Sequence, residues 1–435
     1  MENELLDRPP AGEIAILVHI DFDDRSAYED INEFQQLATS AGAYVKATIT
    51  GRRSAPDAKY FVGLGKAEEI RSSVSTSGAG LVLFNHTLSP GQERNLERLL
   101  QCRVIDRTGL ILDIFAQRAQ SFEGKLQVEL AQLQHLSTRL IRGWTHLERQ
   151  RGGIGLRGPG ETQLESDRRL LRKRIKTINS RLEKVHIQRD QGRRARRRAL
   201  LPTVAIVGYT NAGKSTLFNK LSGAAAYVAD KPFATLDPTF RQMTLPGAGK
   251  VVLVDTVGFI RNLPHDLIEA FSATLEETRD ASLLLHIIDI HDAEREEHTE
   301  QVNLVLEKIG ADQIPRLLVY NKIDLQEMTE PEIDRDVHNH PIRVRISAHL
   351  DLGLNYLRTA IADLVYGDPI YRTLVLSPDQ GRLRAQLYEM DSVLDERTDM
   401  EGNTILSIRM SKSDFERMFP EEPEQPSLEQ INLYS

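Results

Sequence analysis

The chain has 435 residues, 40% of them apolar and 27% charged, with a formal net charge of −8. A single cysteine, Cys102, excludes an intrachain disulfide, and no apolar run approaches the roughly 18 residues of a membrane span. These bounds lead to the expectation of a cytoplasmic monomer of about three domains with ample core.

In chain order, residues 1–12 read as a lead-in. An α/β domain with a mainly parallel sheet is expected at 13–120, where apolar runs at 14–20, 44–50, 81–84 and 102–105 alternate with helical patterns at 28–40, 66–75 and 90–100. Cys102 is read as core. Gly63-Leu64-Gly65-Lys66 could hold a phosphate before a helix, but it lacks the rest of any fingerprint, and a tight turn is favoured.

A helical hairpin is expected at 121–198. Leu126, Leu133, Leu140 and Leu147 recur every seven residues, with Leu130 and Trp144 between them, and this helix is expected to continue one begun near Thr108. Leu164, Leu171, Ile178 and Val185 repeat the heptad in a second helix, with Ile175 and Leu182 between, which predicts an antiparallel coiled coil. The connection, 151–163, carries five glycines and Pro159 and is expected not to be helical; Arg151, Arg157, Ile154 and Leu156 suggest a contact surface rather than a flexible tip. From Ser166 to Arg198 there are 14 basic residues and three acidic ones, net +11, which leaves −19 for the remainder. Acids on a solvated helix usually balance the bases, so the asymmetry favours nucleic acid as partner. Residues 193–198 read as a basic linker.

A nucleotide domain at 199–367 is organised around Gly208-Tyr209-Thr210-Asn211-Ala212-Gly213-Lys214-Ser215, between the run Val204 to Val207 and the periodic Leu217, Phe218 and Leu221. Strand, glycine-bounded loop and helix form the context of a phosphate-binding loop, whose backbone N–H groups cradle phosphate oxygens. Further pieces follow in order: Phe233-Ala234-Thr235-Leu236-Asp237, Asp255-Thr256-Val257-Gly258, Asn321-Lys322-Ile323-Asp324 and Ser347-Ala348-His349. All but the first follow a predicted strand at its carboxyl end, where open α/β sheets bind ligands. The set resembles the GTPase superfamily.

The resemblance assigns chemistry to each piece. Lys214 would reach the β- and γ-phosphates of GTP. Ser215, Thr235 and, through water, Asp255 would hold Mg²⁺, and the Gly258 N–H would sense the γ-phosphate. The Asp324 carboxylate would accept from guanine N1–H and the exocyclic amine, a donor pair adenine lacks. Asn321 would meet the N7 side and brace the phosphate loop, Lys322 would lie along the base plane, and the Ala348 N–H would meet O6. Many GTPases place a glutamine after the glycine of Asp-x-x-Gly; here it is Phe259, which cannot orient water. Asn211 is then a candidate to hold a monovalent cation, K⁺, beside the phosphates, with loop bracing as its alternative. A small α+β domain at 368–419 and an acidic, proline-bearing tail at 420–435, expected to be disordered, complete the chain.

The loop at 233–237, the glycine-rich segment, the basic coiled coil and the preceding α/β domain together resemble the HflX family of translation-factor-class GTPases over roughly residues 10–420. The resemblance implies binding to the large ribosomal subunit and its RNA, with the glycine-rich segment reaching the RNA, and splitting or rescue of stalled ribosomes under stress. A GTP-switched adaptor that recruits a protein through its coiled coil is the alternative. An ATP-driven N-terminal enzyme is disfavoured, since no second phosphate loop or acidic metal pair occurs there.

Overall fold

The computed structural model describes residues 12–22, 31–143, 159–198, 201–223, 233, 235–245, 248–261, 272–325, 330–367, 370–390, 392–399, 402–410, 415 and 418–419. Expectations for the lead-in, Trp144, Leu147, Ala234, residues 151–158 and the acidic tail lie outside them. The chain divides into two compact units. One comprises Met1–Gln191, Ala229–Asp237 and Ile260–Ala273; the other comprises Gly192–Val228, Pro238–Phe259 and Thr274–Ser435.

The first unit holds a fully parallel sheet of β1 (Ile14–Phe22), β2 (Tyr44–Arg53), β3 (Leu81–Phe84) and β4 (Arg103–Asp106) in the order β2-β1-β3-β4. Ala15 to Val18 are wholly buried, so β1 reads as a continuous apolar run rather than an alternating one. The connecting helices are α1 (Ile31–Ser40), α2 (Leu64–Ser77), α3 (Pro90–Leu100) and α4 (Arg107–Arg118). Ser89 and Gln92 form a reciprocal capping box around Pro90 at the start of α3. Gly63 is extended at the start of α2, and Lys66 pairs with Glu69 at 2.7 Å within the helix. Cys102 is half-buried against this core, and burial pushes its thiol up to about 11.

The long helices differ from expectation at two ends. α4 stops at Arg118 and a new helix, α5 (Phe122–Gly143), begins after an extended Ala119. Ser121 starts it, its Oγ accepting from the Gly124 N–H at 2.8 Å. The second helix, α6 (Pro159–Arg198), begins inside the segment expected to be non-helical and runs through the expected linker. Proline's fixed φ and missing N–H suit the first turn of a helix, so Pro159 starts α6 rather than breaking it. Glu129 pairs with Arg174 at 2.6 Å and Glu123 with Arg189 at 2.8 Å, so the helices run antiparallel. Ile178 is buried and Leu171, Ile175, Leu182 and Val185 are half-buried, which is the heptad stripe read from sequence.

In the second unit, seven strands follow the order β10-β11-β9-β8-β5-β7-β6. They are β5 (Thr203–Gly208), β6 (Thr239–Leu245), β7 (Gly249–Asp255), β8 (Leu283–Asp289), β9 (Arg316–Asn321), β10 (Glu332–Arg335) and β11 (Pro341–Arg345). All neighbours are parallel except the two edge pairs β6–β7 and β10–β11. β5 sits between β7 and β8, so the loop after it leaves the sheet at its topological switch point. α7 (Lys214–Ser222), α8 (Ser272–Arg279), which straddles the boundary between units, α9 (Arg295–Lys308) and α10 (Leu354–Tyr366) accompany the sheet. An antiparallel sheet of β12 (Ile370–Leu376), β14 (Thr404–Met410) and β13 (Val393–Thr398) with α11 (Gly381–Glu389) forms the α+β appendage.

Candidate active site

The phosphate loop is shaped by backbone that only small residues tolerate. Gly208 has φ 147°, and a Cβ there would meet the Ile287 carbonyl oxygen at 2.4 Å. Gly213 has φ 93°, and a Cβ would strike Asn321 Nδ2 at 2.2 Å. Asn211 is in the left-handed region at φ 63°, which asparagine accepts more readily than most residues, and its side chain is exposed. The loop is zipped to the segment after β7. Thr210 N–H donates to the Phe259 carbonyl at 2.8 Å, and Phe259 N–H donates to the Gly208 carbonyl at 3.1 Å. The Thr210 N–H is therefore spent on the protein, not on the concavity as the loop reading expected.

Lys214 lies 5% exposed at the start of α7 and donates from Nζ to the Tyr209 carbonyl at 2.6 Å. Burial depresses its pKa to about 8, with Asp255 acting in the opposite sense. Ser215 Oγ donates to Asp255 Oδ2 at 2.9 Å, so two of the three expected metal residues touch. A hydroxyl beside a carboxylate is the hard oxygen donor set that Mg²⁺ takes, and these residues fit the ion. Gly258 lies close to both groups of the loop: a Cβ would stand 2.9 Å from Lys214 Nζ and from Thr210 Cγ2. Thr256 is wholly buried and donates to the Ile206 carbonyl at 2.6 Å, while Val257 is buried; both brace the segment.

The residues expected to read the base are joined by hydrogen bonds. Asn321 donates from Nδ2 to the Ala212 carbonyl at 2.9 Å and accepts at Oδ1 from the Ala348 N–H at 2.9 Å. The Ala348 N–H, expected to meet guanine O6, is here given to Asn321, because a buried amide takes the nearest acceptor. Ser347 Oγ donates to Asp324 Oδ1 and fixes its rotamer. Lys322 has φ 69° and pairs through Nζ with Asp289 Oδ2 at 2.8 Å. Ile323 is core and His349 is exposed.

Thr235 falls in the first unit, as do Phe233, Leu236 and Asp237. Phe233 is buried edge-on to Phe115, with ring centroids 4.5 Å apart. Asp237 accepts from the N–H groups of Gln120 at 2.9 Å and Ser121 at 2.8 Å, and from Ser121 Oγ.

Three family models cover the chain in succession: "GTP-binding GTPase N-terminal" at residues 28–116, "GTP-binding GTPase Middle Region" at 118–196 and "50S ribosome-binding GTPase" at 203–322. The protein named GTPase HflX of Escherichia coli strain K12 is 58% identical over 419 residues, covering 96% of this chain and 98% of its own. The chain belongs to the HflX family of GTPases. A second HflX, from Caldanaerobacter subterraneus, is 46% identical over 377 residues, covering 87% of this chain and 86% of its own. Among solved structures, one titled as a complex of SsGBP and GDP is 26% identical, covers 81% of this chain and 98% of its own, and has a TM-score of 0.48.

As an HflX-family GTPase the chain hydrolyses GTP without a glutamine after Gly258. Phe259 is 2% exposed, and its backbone N–H and carbonyl engage the phosphate loop. Sequence reasoning missed Asp289, the partner of Lys322; the available signal was an acid at the carboxyl end of the apolar run Leu283 to Ile288. It also missed His298, which stacks on Tyr209 with centroids 3.8 Å apart and binds Asp292 through Nδ1. No local pattern marks that pair, since 89 positions separate its members in the chain. No described helix is long and apolar enough to cross a membrane.

Proposed function

We propose that this GTPase binds the large ribosomal subunit, alone and in the 70S ribosome, through RNA, and that its GTP cycle splits or rescues stalled ribosomes under stress. The observation that carries the reading is the outer face of α6. Arg169, Arg172, Lys173, Lys176, Arg181 and Lys184 are all exposed, while the apolar stripe faces inward. Such a row meets phosphates and adds affinity without sequence information. The description of the model matching 203–322 supports the large subunit as the partner.

In the GTP state Ser215 and Thr235 would hold Mg²⁺ directly and Asp255 through water. The ion supplies charge stabilisation at the outer phosphates. Lys214 leaves the Tyr209 carbonyl for the β- and γ-phosphates, and Gly258 offers its N–H to the γ-phosphate. Water attacks the γ-phosphorus, the bond to the β–γ bridging oxygen breaks, and GDP and phosphate leave. With Phe259 inert, Asn211 would hold K⁺ beside the developing charge. Asp324 and Asn321 would select guanine. Residues 151–163 would contact one RNA surface. Sedimentation with large subunits tests the reading: co-sedimentation should be stronger with a non-hydrolysable GTP analogue than with GDP. Neutralising four of the α6 bases should flatten the log–log salt slope by roughly 3 to 4. Equal, salt-insensitive binding in both nucleotide states would refute it.

A further inference from the structure

Among the described residues, the loop bearing Thr235 is held on both sides within the first unit. Two positions before Thr235, Phe233 packs against Phe115 of α4. Two positions after it, Asp237 receives Gln120 N–H, Ser121 N–H and Ser121 Oγ. Gln120 and Ser121 make up the junction between α4 and α5, and Ser121 is the residue that starts α5. A carboxylate at a helix N-terminus is favoured by the orphan N–H groups and the helix dipole there. Ordinarily a helix's own first residues supply it; here it comes from 116 positions away.

We infer that Ser121 and Asp237 are positioning residues for GTP hydrolysis, a tie between the Thr235 loop and the first turn of α5. The inference rests on the proposed role of Thr235 and on the RNA-binding reading of the hairpin. The first two turns of α5 are ion-paired to the basic helix α6, through Glu123–Arg189 and Glu129–Arg174. A load on α6 therefore reaches Ser121, and through Asp237 the loop that holds Thr235. When Thr235 is drawn to Mg²⁺ in the GTP state, the grip of Asp237 on the two N–H groups changes. Linkage makes the coupling reciprocal in affinity: if nucleotide changes the hairpin's affinity for RNA through the tie, RNA changes the affinity for that nucleotide by the same factor.

The Gln120 and Ser121 amides report the tie directly. Their hydrogen exchange in the full-length protein should differ by about tenfold between GDP and a non-hydrolysable GTP analogue, the worth of a bond to a charged acceptor. Identical exchange in the two states overturns the inference and leaves the ribosome reading untouched. Two variants then separate the tie from helix capping, since aspartate and asparagine both cap helices well. S121D keeps a cap for Gly124 but sets a second carboxylate against Asp237, whereas S121N can still donate to it. Stimulation of GTP turnover by large subunits should fall at least tenfold in S121D and persist in S121N. Wild-type stimulation in S121D overturns the tie. Nucleotide-dependent exchange in a wild-type protein that large subunits fail to stimulate supports the tie and refutes the ribosome reading instead.

Discussion

Replacing Asn321 with alanine isolates the brace between the phosphate loop and the loop that carries Ala348. The side chain is 3% exposed and makes two bonds of 2.9 Å, one to the Ala212 carbonyl and one from the Ala348 N–H. Ala212 and Ala348 are themselves 2% and 1% exposed, so water does not readily replace the lost partner. An orphaned buried backbone group costs about 1 to 3 kcal/mol, which puts the loss at about 2 to 6 kcal/mol. For a domain of 150 to 250 residues each kcal/mol moves Tm by about 2 to 4 °C, so nucleotide-free N321A should melt at least about 4 °C lower. Scanning calorimetry of the nucleotide-free proteins measures this with no contribution from the base contact. N321D should fare no better, because its carboxylate keeps the bond from Ala348 but faces the Ala212 carbonyl. A Tm for N321A within 1 °C of wild type would refute the brace and leave Asn321 as a base contact alone.

Asp324→Asn should exchange guanine preference for xanthine, because an amide donates where the carboxylate accepted; competition between GTP and XTP measures it, and continued preference for GTP would move the base pocket elsewhere. Burial holds Lys214 at about 8, below the 10.5 of a free lysine, so above pH 8 the unfolded chain binds a proton that the empty folded site does not. The Lys214 contribution to the stability of the nucleotide-free protein should therefore grow by roughly 3 kcal/mol as pH rises from about 8 to 10.5. Phosphates restore the lysine's charge, so GDP binding should take up a proton above pH 8, visible in calorimetry in buffers of different ionisation enthalpy; no uptake would remove Lys214 from the phosphates. Hydrolysis should be faster in KCl than in NaCl at equal ionic strength if Asn211 helps hold the larger ion, and equal rates would return Asn211 to loop bracing.

The elements legible in the sequence are those whose cause is local. β5, the loop to Ser215 and α7 follow from an apolar run, two positive-φ glycines and an apolar period, all within 20 residues. The α6 stripe follows from the heptad. What could not be read depends on distant partners. The break at 119–121 carries only a serine as signal, and the acid that completes it is Asp237, read from sequence as part of a nucleotide loop. Pro159 has two meanings, breaker or first residue of a helix, and the composition around it suggested the wrong one. Thr256 and Val257 lie in the Asp-x-x-Gly motif yet are both buried, Thr256 because its hydroxyl is spent on the Ile206 carbonyl of the neighbouring strand, a partner 50 residues away. The fate of the Ala348 N–H needed the position of Asn321, 27 residues earlier.

Arg107 gives the protein an order of assembly. Its guanidinium is 4% exposed and is shared among Glu33 at 2.6 Å, Asn85 Oδ1 at 2.7 Å and the Arg261 carbonyl at 3.2 Å. The first two acceptors are synthesised before it, but the third follows 154 residues later. At about 5 to 20 residues per second, the nascent first unit waits roughly 8 to 30 s for that carbonyl. Over the same interval Ser121 awaits Asp237. The N-terminal sheet therefore emerges with Arg107 able to pair with Glu33 and Asn85, while its third acceptor and the acid that meets Ser121 are still to be made. A chain truncated before residue 229 carries every strand of the first sheet and still lacks the acceptors that close it.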